Sequence, residues 1–233
     1  MKGIKLVVSG NWAHFRKPET SNNPLSHDFI TKTALIGLMG AVLGVERKEM
    51  RQLFPQLSED LKYGVEIRNA VKKQSWGFTY RSNINDVFYK APKQMEIIRN
   101  PSYTVLIGLE NNRSEGVFVD FRNSLQNQEA YFTPVLGIHN CPADLEFLEE
   151  GEFEYLSTGA FETTGFITTQ HQLKVPPGKP FRLGFEKIPT YQNDDFWNLP
   201  DKYVPVVYPS EQHLILANGP HYIYNQQSQW VLI

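Results

Sequence analysis

The 233-residue sequence predicts an α+β fold, and three observations lead to that prediction. Residues 4–9 and 103–109 are short apolar runs of the kind found in buried strands. Residues 31–44 carry apolar side chains with no polar stripe, which is typical of a buried helix. The last third of the chain, residues 161–233, is rich in short strand-like segments separated by turn residues.

The first strand and first helix are separated by a long loop. Ile4, Leu6 and Val8 share one strand face, and Gly10 ends the strand. Residues 10–30 are rich in Asn, Ser and Pro, and a loop of this length between core elements is usually functional or mobile. The helix is predicted over Thr31–Gly44, between a capping threonine and a C-terminal glycine.

Two glycines inside that helix predict a close neighbour. Gly37 and Gly40 each cost about 1 kcal/mol of helix propensity relative to Ala. Glycine at these positions would be explained if another backbone passed so close to the helix that a Cβ could not fit. A short amphipathic helix, about Arg47–Phe54, is predicted to follow and to stop at Pro55.

The remaining elements complete a recurrent order. Residues 61–81 are predicted to be extended, residues 82–98 form a projecting hairpin or loop, and residues 103–109 form the clearest strand. A second core helix is predicted over residues 143–150, and strands follow at 153–157, 181–187, 204–208, 214–217 and 221–224, the last after an Asn218-Gly219 turn. Strand, helix, strand, strand, helix, strand is the ferredoxin-like order of RNA-recognition domains.

This order divides the chain into two portions. Residues 1–160 are interpreted as a ferredoxin-like core that includes a thumb-like insertion at about residues 71–98. Residues 161–233 are interpreted as a β-rich C-terminal portion packed on that core.

Charge is divided unequally along the chain. Residues 1–122 hold 18 of the 23 Lys and Arg but 12 of the 25 Asp and Glu, a surplus of six positive charges. Residues 123–233 hold the other 5 basic and 13 acidic residues, a surplus of eight negative charges. The first half is therefore suited to a polyanion, and the second half to protein partners or solvent.

An aromatic and basic loop follows the first strand. Bases can stack on Trp12, His14 or Phe15, while Arg16 and Lys17 can hold phosphates. The alternative is that the rings belong to the core and only the charges face solvent. Both interpretations of the rings stay open at this point.

The predicted thumb carries a second cluster. Trp76, Phe78 and Tyr80 fall at period two and would line one strand face, and this alternation favours packing of Trp76 and Phe78 on the core. The basic residues nearby would face RNA or a neighbouring subunit. The residues predicted to bind RNA are Trp12, His14, Phe15, Arg16, Lys17, Lys32, Lys72, Lys73, Arg81 and Lys90.

Other classes of function find little support. His139 and Cys141 are two residues apart with no second pair nearby, so no metal and no cofactor is expected. A single cysteine cannot form an internal disulfide, which fits a reducing cytoplasm. The sequence contains no apolar run long enough to span a membrane.

Several stretches resemble one known family. They are residues 9–17 (SGNWAHFRK), 33–44 (TALIGLMGAVLG), 99–107 (RNPSYTVLI) and 131–138 (YFTPVLGI) with Pro142-Ala143, and more weakly residues 185–224. Together they resemble the CRISPR-associated RAMP family five, the subunit of type I Cascade that holds the 5′ handle of the guide RNA. The type I-B branch is the most similar.

The resemblance implies a non-catalytic RNA-binding subunit of a cytoplasmic antiviral defence complex. Its implied partners are the crRNA 5′ handle, the backbone RAMP subunits and the large subunit, with target DNA reached only through the complex. The inserted thumb would displace a guide nucleotide.

The alternative is a metal-independent endoribonuclease that processes precursor crRNA, as in one branch of the family. Its acid, base and cation would come from His14, His27, Tyr63 and Lys17 or Lys32. The adjacent Lys-His pair associated with that branch does not occur in this chain. We therefore expect no catalytic residues.

Overall fold

The computed structural model describes residues 1–20, 22–80, 91–174, 182–193 and 199–233. The helices are α1 (Lys32–Leu43), α2 (Arg47–Asp60) and α3 (Glu115–Asn127), the last preceded by a 3₁₀ turn at Asn112–Ser114. The strands are β1 (Lys2–Ser9), β2 (Trp12–Ala13), β3 (Leu61–Ile67), β4 (Lys72–Tyr80), β5 (Ala91–Arg99), β6 (Ser102–Leu109), β7 (Asp144–Leu156), β8 (Ala160–Thr163), β9 (Ile167–Thr168), β10 (Gln172–Lys174), β11 (Leu183–Tyr191), β12 (Lys202–Pro209), β13 (Ile215–Asn218), β14 (His221–Tyr224) and β15 (Ser228–Trp230).

A six-stranded antiparallel sheet organises the fold. Its strand order is β15-β14-β7-β1-β6-β3, with β1 paired to both β6 and β7. In the chain, α1 and α2 lie between β1 and β3, and α3 lies between β6 and β7. Apolar residues of β1, β3 and β6 share one large core with the three helices, and a smaller cluster around Phe153 and Trp230 includes Leu106 of β6.

The predicted order of core elements is found, but the second helix was assigned to the wrong segment. Residues 143–150 do not form a helix, because Asp144–Leu156 is one long strand that pairs with β1 and β14. The helix is instead Glu115–Asn127, which buries Phe118, Phe121 and Leu125. Glutamate-rich residues 144–156 favour a helix locally, but pairing along the whole length of β1 decides their structure.

The first helix matches its prediction closely. The Thr31 hydroxyl accepts a hydrogen bond from the Ala34 amide at 3.2 Å, and Gly44 ends the helix with a φ of 72°. Among the described residues, the atoms nearest to a Cβ on Gly40 belong to the Met50 side chain and not to a backbone, and a Cβ on Gly37 would meet nothing within 4 Å. The predicted reason for the two glycines is therefore wrong.

The second helix does not stop at Pro55 as predicted but continues to Asp60. Proline removes one backbone hydrogen bond inside a helix. Burial of Met50 and Phe54 before the proline, and of Leu57 after it, holds the helix against the core and offsets this loss. The next strand, β3, begins directly at Leu61.

The last third is β-rich, as predicted. Strands β14 and β15 extend the central sheet beyond β7. The other strands form two small sheets, with orders β10-β13-β8 and β11-β12-β9. The predicted strand 181–187 is found as Leu183–Tyr191, with Phe181 outside the described residues. Among the described residues, no helix has the length and apolar character needed to cross a bilayer.

Strands β4 and β5 form a long antiparallel hairpin within the predicted thumb, and β2 joins it in the order β2-β5-β4. Residues 81–90, with the predicted RNA contacts Arg81 and Lys90, lie outside the described residues.

Candidate nucleic-acid interface

The loop after β1 is held closely on both sides. On one side β2 pairs with β5, and on the other the His14 amide donates to the Leu136 carbonyl at 3.0 Å. Gly137, with a φ of 93°, lies so close that a Cβ there would collide with the His14 carbonyl oxygen. Gly10 lies similarly close to the Pro142 carbonyl. The loop therefore has a defined conformation on the described scaffold.

One row across the three-stranded sheet combines an aromatic ring with two cations. Trp12 of β2 lies opposite Arg99 of β5, and Arg99 lies opposite Lys72 of β4. Residues directly opposite each other in a sheet project from the same face. Arg99 and Lys72 are exposed, and Trp12 is half-buried. We name Trp12, Arg99 and Lys72 the cationic row.

Arg99 was not among the predicted RNA-binding residues. Its place in the cationic row depends on the pairing register of β2, β5 and β4. Strand patterns in a sequence do not reveal this register. Its position at the end of the predicted hairpin was the available signal.

The same face of the hairpin continues outward with aromatic residues. Trp76 packs against Trp12, with ring centroids 4.8 Å apart. Phe78 and Tyr80, two and four residues further along β4, are 42% and 49% exposed. The predicted packing on the core is therefore wrong for Phe78, because the hairpin extends away from the core beyond Trp76.

Two of the predicted loop contacts lie inside the protein. Phe15 is 2% exposed and packs near Tyr103, and its amide donates to the Ser26 hydroxyl at 3.0 Å. His14 is 3% exposed, and its Nδ1 lies 2.7 Å from the Glu96 carbonyl oxygen. Burial lowers the pKa of His14. Neither ring offers an open face for a base in this structure.

The two loop cations differ in their surroundings. Arg16 is exposed, and its guanidinium donates to the Thr20 carbonyl at 3.4 Å. Lys17 is half-buried, and its ammonium lies 2.8 Å from Glu186 Oε1. Arg16 therefore has an accessible charge, whereas Lys17 is already neutralised within the protein.

Glu186 joins the loop to β11 through two bonds. Its second oxygen, Oε2, lies 2.9 Å from Nδ1 of the buried His27. Burial alone would raise the pKa of Glu186, but the hydrogen bonds from His27 and Lys17 lower it overall. The carboxylate consequently stays charged and fixes the loop against the C-terminal portion.

Lys73 has a structural position on the opposite face of the hairpin. Its ammonium lies 2.7 Å from Asp28 Oδ1 and 2.9 Å from Glu96 Oε1, and it donates to the Ser26 carbonyl at 2.7 Å. Burial would lower the pKa of Lys73, but the hydrogen bonds to Asp28 and Glu96 raise it. All three donor positions of this lysine are used within the protein.

A groove of about 520 Å³ lies beside the loop. It is lined by Arg16 and His14 of the loop and by Ala34, Gly37 and Leu38 of α1, among others. Lys32, at the start of the same helix, is buried and lines a different cavity. The predicted RNA contact Lys32 therefore does not lie in the same groove as the predicted contacts of the loop.

No group of three or more His, Cys, Asp or Glu side chains suited to a metal ion occurs within the ranges that the structure describes. The recognisable features are instead aromatic rings and cations, found on the cationic row, the outer hairpin and Arg16. Such surfaces are suited to phosphates and unstacked bases.

The fold and the site together define an α+β protein with a central antiparallel sheet and a projecting hairpin that carries aromatic and cationic side chains. The chain belongs to the family described as CRISPR-associated protein (Cas_Cas5), whose sequence profile matches residues 3–210. A comparison with curated proteins found no match.

Two solved structures show the same fold at low sequence identity. A chain of the structure described as "CRISPR RNA-guided surveillance complex" is 13% identical, with 89% of each chain covered and a TM-score of 0.55. "Crystal structure of a CRISPR protein from Archaeoglobus fulgidus" is 12% identical, with 99% of this chain and 98% of that chain covered and a TM-score of 0.62.

Proposed function

We propose that this protein is a non-catalytic RNA-binding subunit of a type I CRISPR Cascade complex, in which it caps the 5′ handle of the crRNA. The observation that carries the proposal is the cationic row, in which Trp12 lies opposite the exposed Arg99 and Arg99 lies opposite the exposed Lys72. Membership of the Cas5 family supports it. A ring at one end of a row that also holds two cations can stack on one base while the cations hold nearby phosphates.

The fold supports a ferredoxin-like core. Strands β7-β1-β6-β3 have the spatial order 4-1-3-2 when numbered along the chain, with helices in the first and third connections. On this basis the β4–β5 hairpin is the thumb inserted in that core. The sequence stretches that resemble the type I-B branch include Trp12 and Arg99 of the cationic row.

The proposed partners follow from the division of charge. RNA is held by the first half of the chain, with its surplus of six positive charges, and the backbone and large subunits meet the remaining surface. Target DNA is read by base pairing with the guide, so this chain meets it only through the complex.

Binding is favoured over cutting by the positions of the candidate acid-base groups. His14, His27 and Tyr63 are each no more than 3% exposed, and His27 is bonded to Glu186. General acid-base catalysis requires direct contact with the reacting atoms. Incubation of the purified protein with repeat RNA and a chelator tests the endoribonuclease alternative, for which specific cleavage that disappears in His27→Ala would be the evidence.

The binding proposal is tested by reversing the charges of the cationic row. Lys72→Glu with Arg99→Glu is compared with Lys174→Glu, a single reversal of an exposed lysine on β10, in titrations with handle RNA at several salt concentrations. For every phosphate that the variant no longer neutralises, the slope of log affinity against log salt should become shallower by about 0.7. Unchanged affinity and slope in the double variant would refute the proposal.

A further inference from the structure

A second cavity, of about 560 Å³, lies apart from the cationic row. Its walls come from the start of α1, the end of α2, strands β3, β7, β11, β12 and β14, residues 168–171, and the last residues of the chain. Among the described residues, it receives nothing from the loop at residues 10–18 or from the β4–β5 hairpin. Its volume falls in the range of small-molecule sites.

Lys32 brings an uncompensated charge to this cavity. The residue is 5% exposed, and in the part of the chain that the structure describes its ammonium has no hydrogen-bond or ion-pair partner. A buried charge without a partner is costly to folding. Burial, together with the nearby charges of Lys62 and Lys202, lowers the pKa of Lys32 to about 7, although the Glu110 carboxylate opposes this shift.

Ser58 provides an independent observation at the same cavity. It is 5% exposed, and its hydroxyl is buried without a hydrogen-bond partner in the described structure. Buried polar atoms are paired in the great majority of cases. An ammonium and a hydroxyl that both lack partners on the wall of one cavity indicate that a ligand completes them.

The carboxylates around the cavity are already engaged. Glu110 lies 3.4 Å from the ammonium of Lys62, and Glu59 lies 3.1 Å from the guanidinium of Arg113. The ammonium of Lys202 lies 4.6 Å from the centroid of the Tyr191 ring. Among the described residues, this ammonium has no carboxylate partner. Within the described residues the lining of the cavity is therefore electropositive, which favours an anion.

Two tyrosines give the cavity an aromatic wall. The rings of Tyr155 and Tyr222 have centroids 5.2 Å apart, and both line the cavity. Tyr155 is 56% exposed, so its ring is open to a planar partner. Aromatic faces of this kind stack on nucleobases.

We propose that this cavity binds a phosphate-bearing ligand of nucleotide size. Lys32, Lys202 and the Ser58 hydroxyl hold the phosphate, and the Tyr155–Tyr222 pair packs against the base. The phosphate belongs either to a free nucleotide or to a nucleotide of bound RNA, because the same donors recognise both. The inference does not depend on the function proposed for the cationic row.

The test is calorimetric titration of the full chain with AMP, inorganic phosphate and adenosine at low salt. Wild-type protein should bind AMP and phosphate, and it should bind adenosine at least about tenfold more weakly than AMP because adenosine cannot form the charge-assisted bonds. Lys32→Met should weaken AMP binding at least about tenfold, Ser58→Ala should weaken it several-fold, and Lys174→Met should leave it unchanged.

Displacement of bound AMP by a single-stranded RNA oligonucleotide would support the proposal and identify RNA as the source of the phosphate. Failure of RNA to displace AMP would support it with a free nucleotide as the ligand. The proposal would be overturned if wild-type protein bound neither AMP nor phosphate at millimolar concentration. Equal AMP binding by wild type and by folded Lys32→Met would also overturn it.

Discussion

The indole of Trp12 packs edge-on against the indole of Trp76, with centroids 4.8 Å apart and an angle of 61° between the planes. This packing joins the loop that follows the first strand to the projecting hairpin. Trp12 also belongs to the cationic row, so the same residue packs on the hairpin and is proposed to contact RNA. Stability and RNA binding are therefore expected to be coupled at this position.

A double-mutant cycle on Trp12 and Trp76 measures this coupling. Each single substitution to Ala should lower the free energy of unfolding, and the two decreases should overlap by about 0.5–1.5 kcal/mol, as measured for other aromatic pairs. Urea unfolding of the four proteins provides the measurement. Strictly additive decreases would show that the two rings do not interact in solution.

Lys73 and Lys72 are neighbours in sequence with opposite expected roles. Lys73→Met should destabilise the protein by about 1–3 kcal/mol, because it leaves the carboxylates of Asp28 and Glu96 without their shared cation. Lys72→Met is the matched control, since Lys72 has no ion pair among the described residues, and should change stability by no more than about 0.5 kcal/mol. Equal thermal midpoints of the two variants would contradict this assignment.

Lys32 should give a characteristic dependence of stability on pH. Its pKa is about 7 in the folded protein, against 10.5 for an ordinary lysine. Between these values the unfolded chain binds one more proton at this position, so this lysine makes stability rise with pH; below about pH 7 its full penalty is present.

Lys32→Met should therefore be more stable than wild type at pH 6, by about 1–3 kcal/mol, and the advantage should shrink towards pH 10. Denaturant titrations at pH 6, 8 and 10 provide the comparison. An advantage that stayed constant with pH would show that packing, and not charge, separates the two proteins.

Gly137 should tolerate no side chain. Gly137→Ala combines a φ of 93° with a collision against the His14 carbonyl and should cost about 1–3 kcal/mol. Gly37→Ala, at an open position inside α1, should stabilise by about 0.5–1 kcal/mol. Thermal unfolding distinguishes the two variants. A Gly137→Ala protein as stable as wild type would refute the close contact between Gly137 and the His14 carbonyl.

Local signals in the sequence predicted the elements whose structure is decided locally. Thr31 and Gly44 defined the first helix because caps act within one turn. Alternation and turn residues likewise located β1, β6, β13 and β14. The predicted hairpin turn at Asn218-Gly219 is wrong, because β13 pairs with β8 and β10 while β14 pairs with β7 and β15. Residues 143–150 were misassigned because long-range pairing with β1 overrides their helical composition.

The site was predicted less completely than the fold, because it depends on register and burial. Arg99 joins the cationic row only through the pairing of three strands. Phe15 and Trp12, three residues apart, differ in exposure because Phe15 packs near Tyr103 in the core, whereas Trp12 packs against Trp76 of the hairpin. Lys32, at the start of α1, lines a different cavity from the loop cation Arg16. Composition does not reveal this separation.

Photo-crosslinking tests the central claim most directly. Handle RNA carrying 4-thiouridine is assembled with the natural complex and irradiated, and the crosslinked peptides of this chain are identified by mass spectrometry. The account predicts crosslinks within residues 12–17, within residues 72–80 or at Arg99, with a large decrease in Trp12→Ala. Crosslinks confined to residues 123–233, or equally strong in Lys72→Glu with Arg99→Glu, would contradict it.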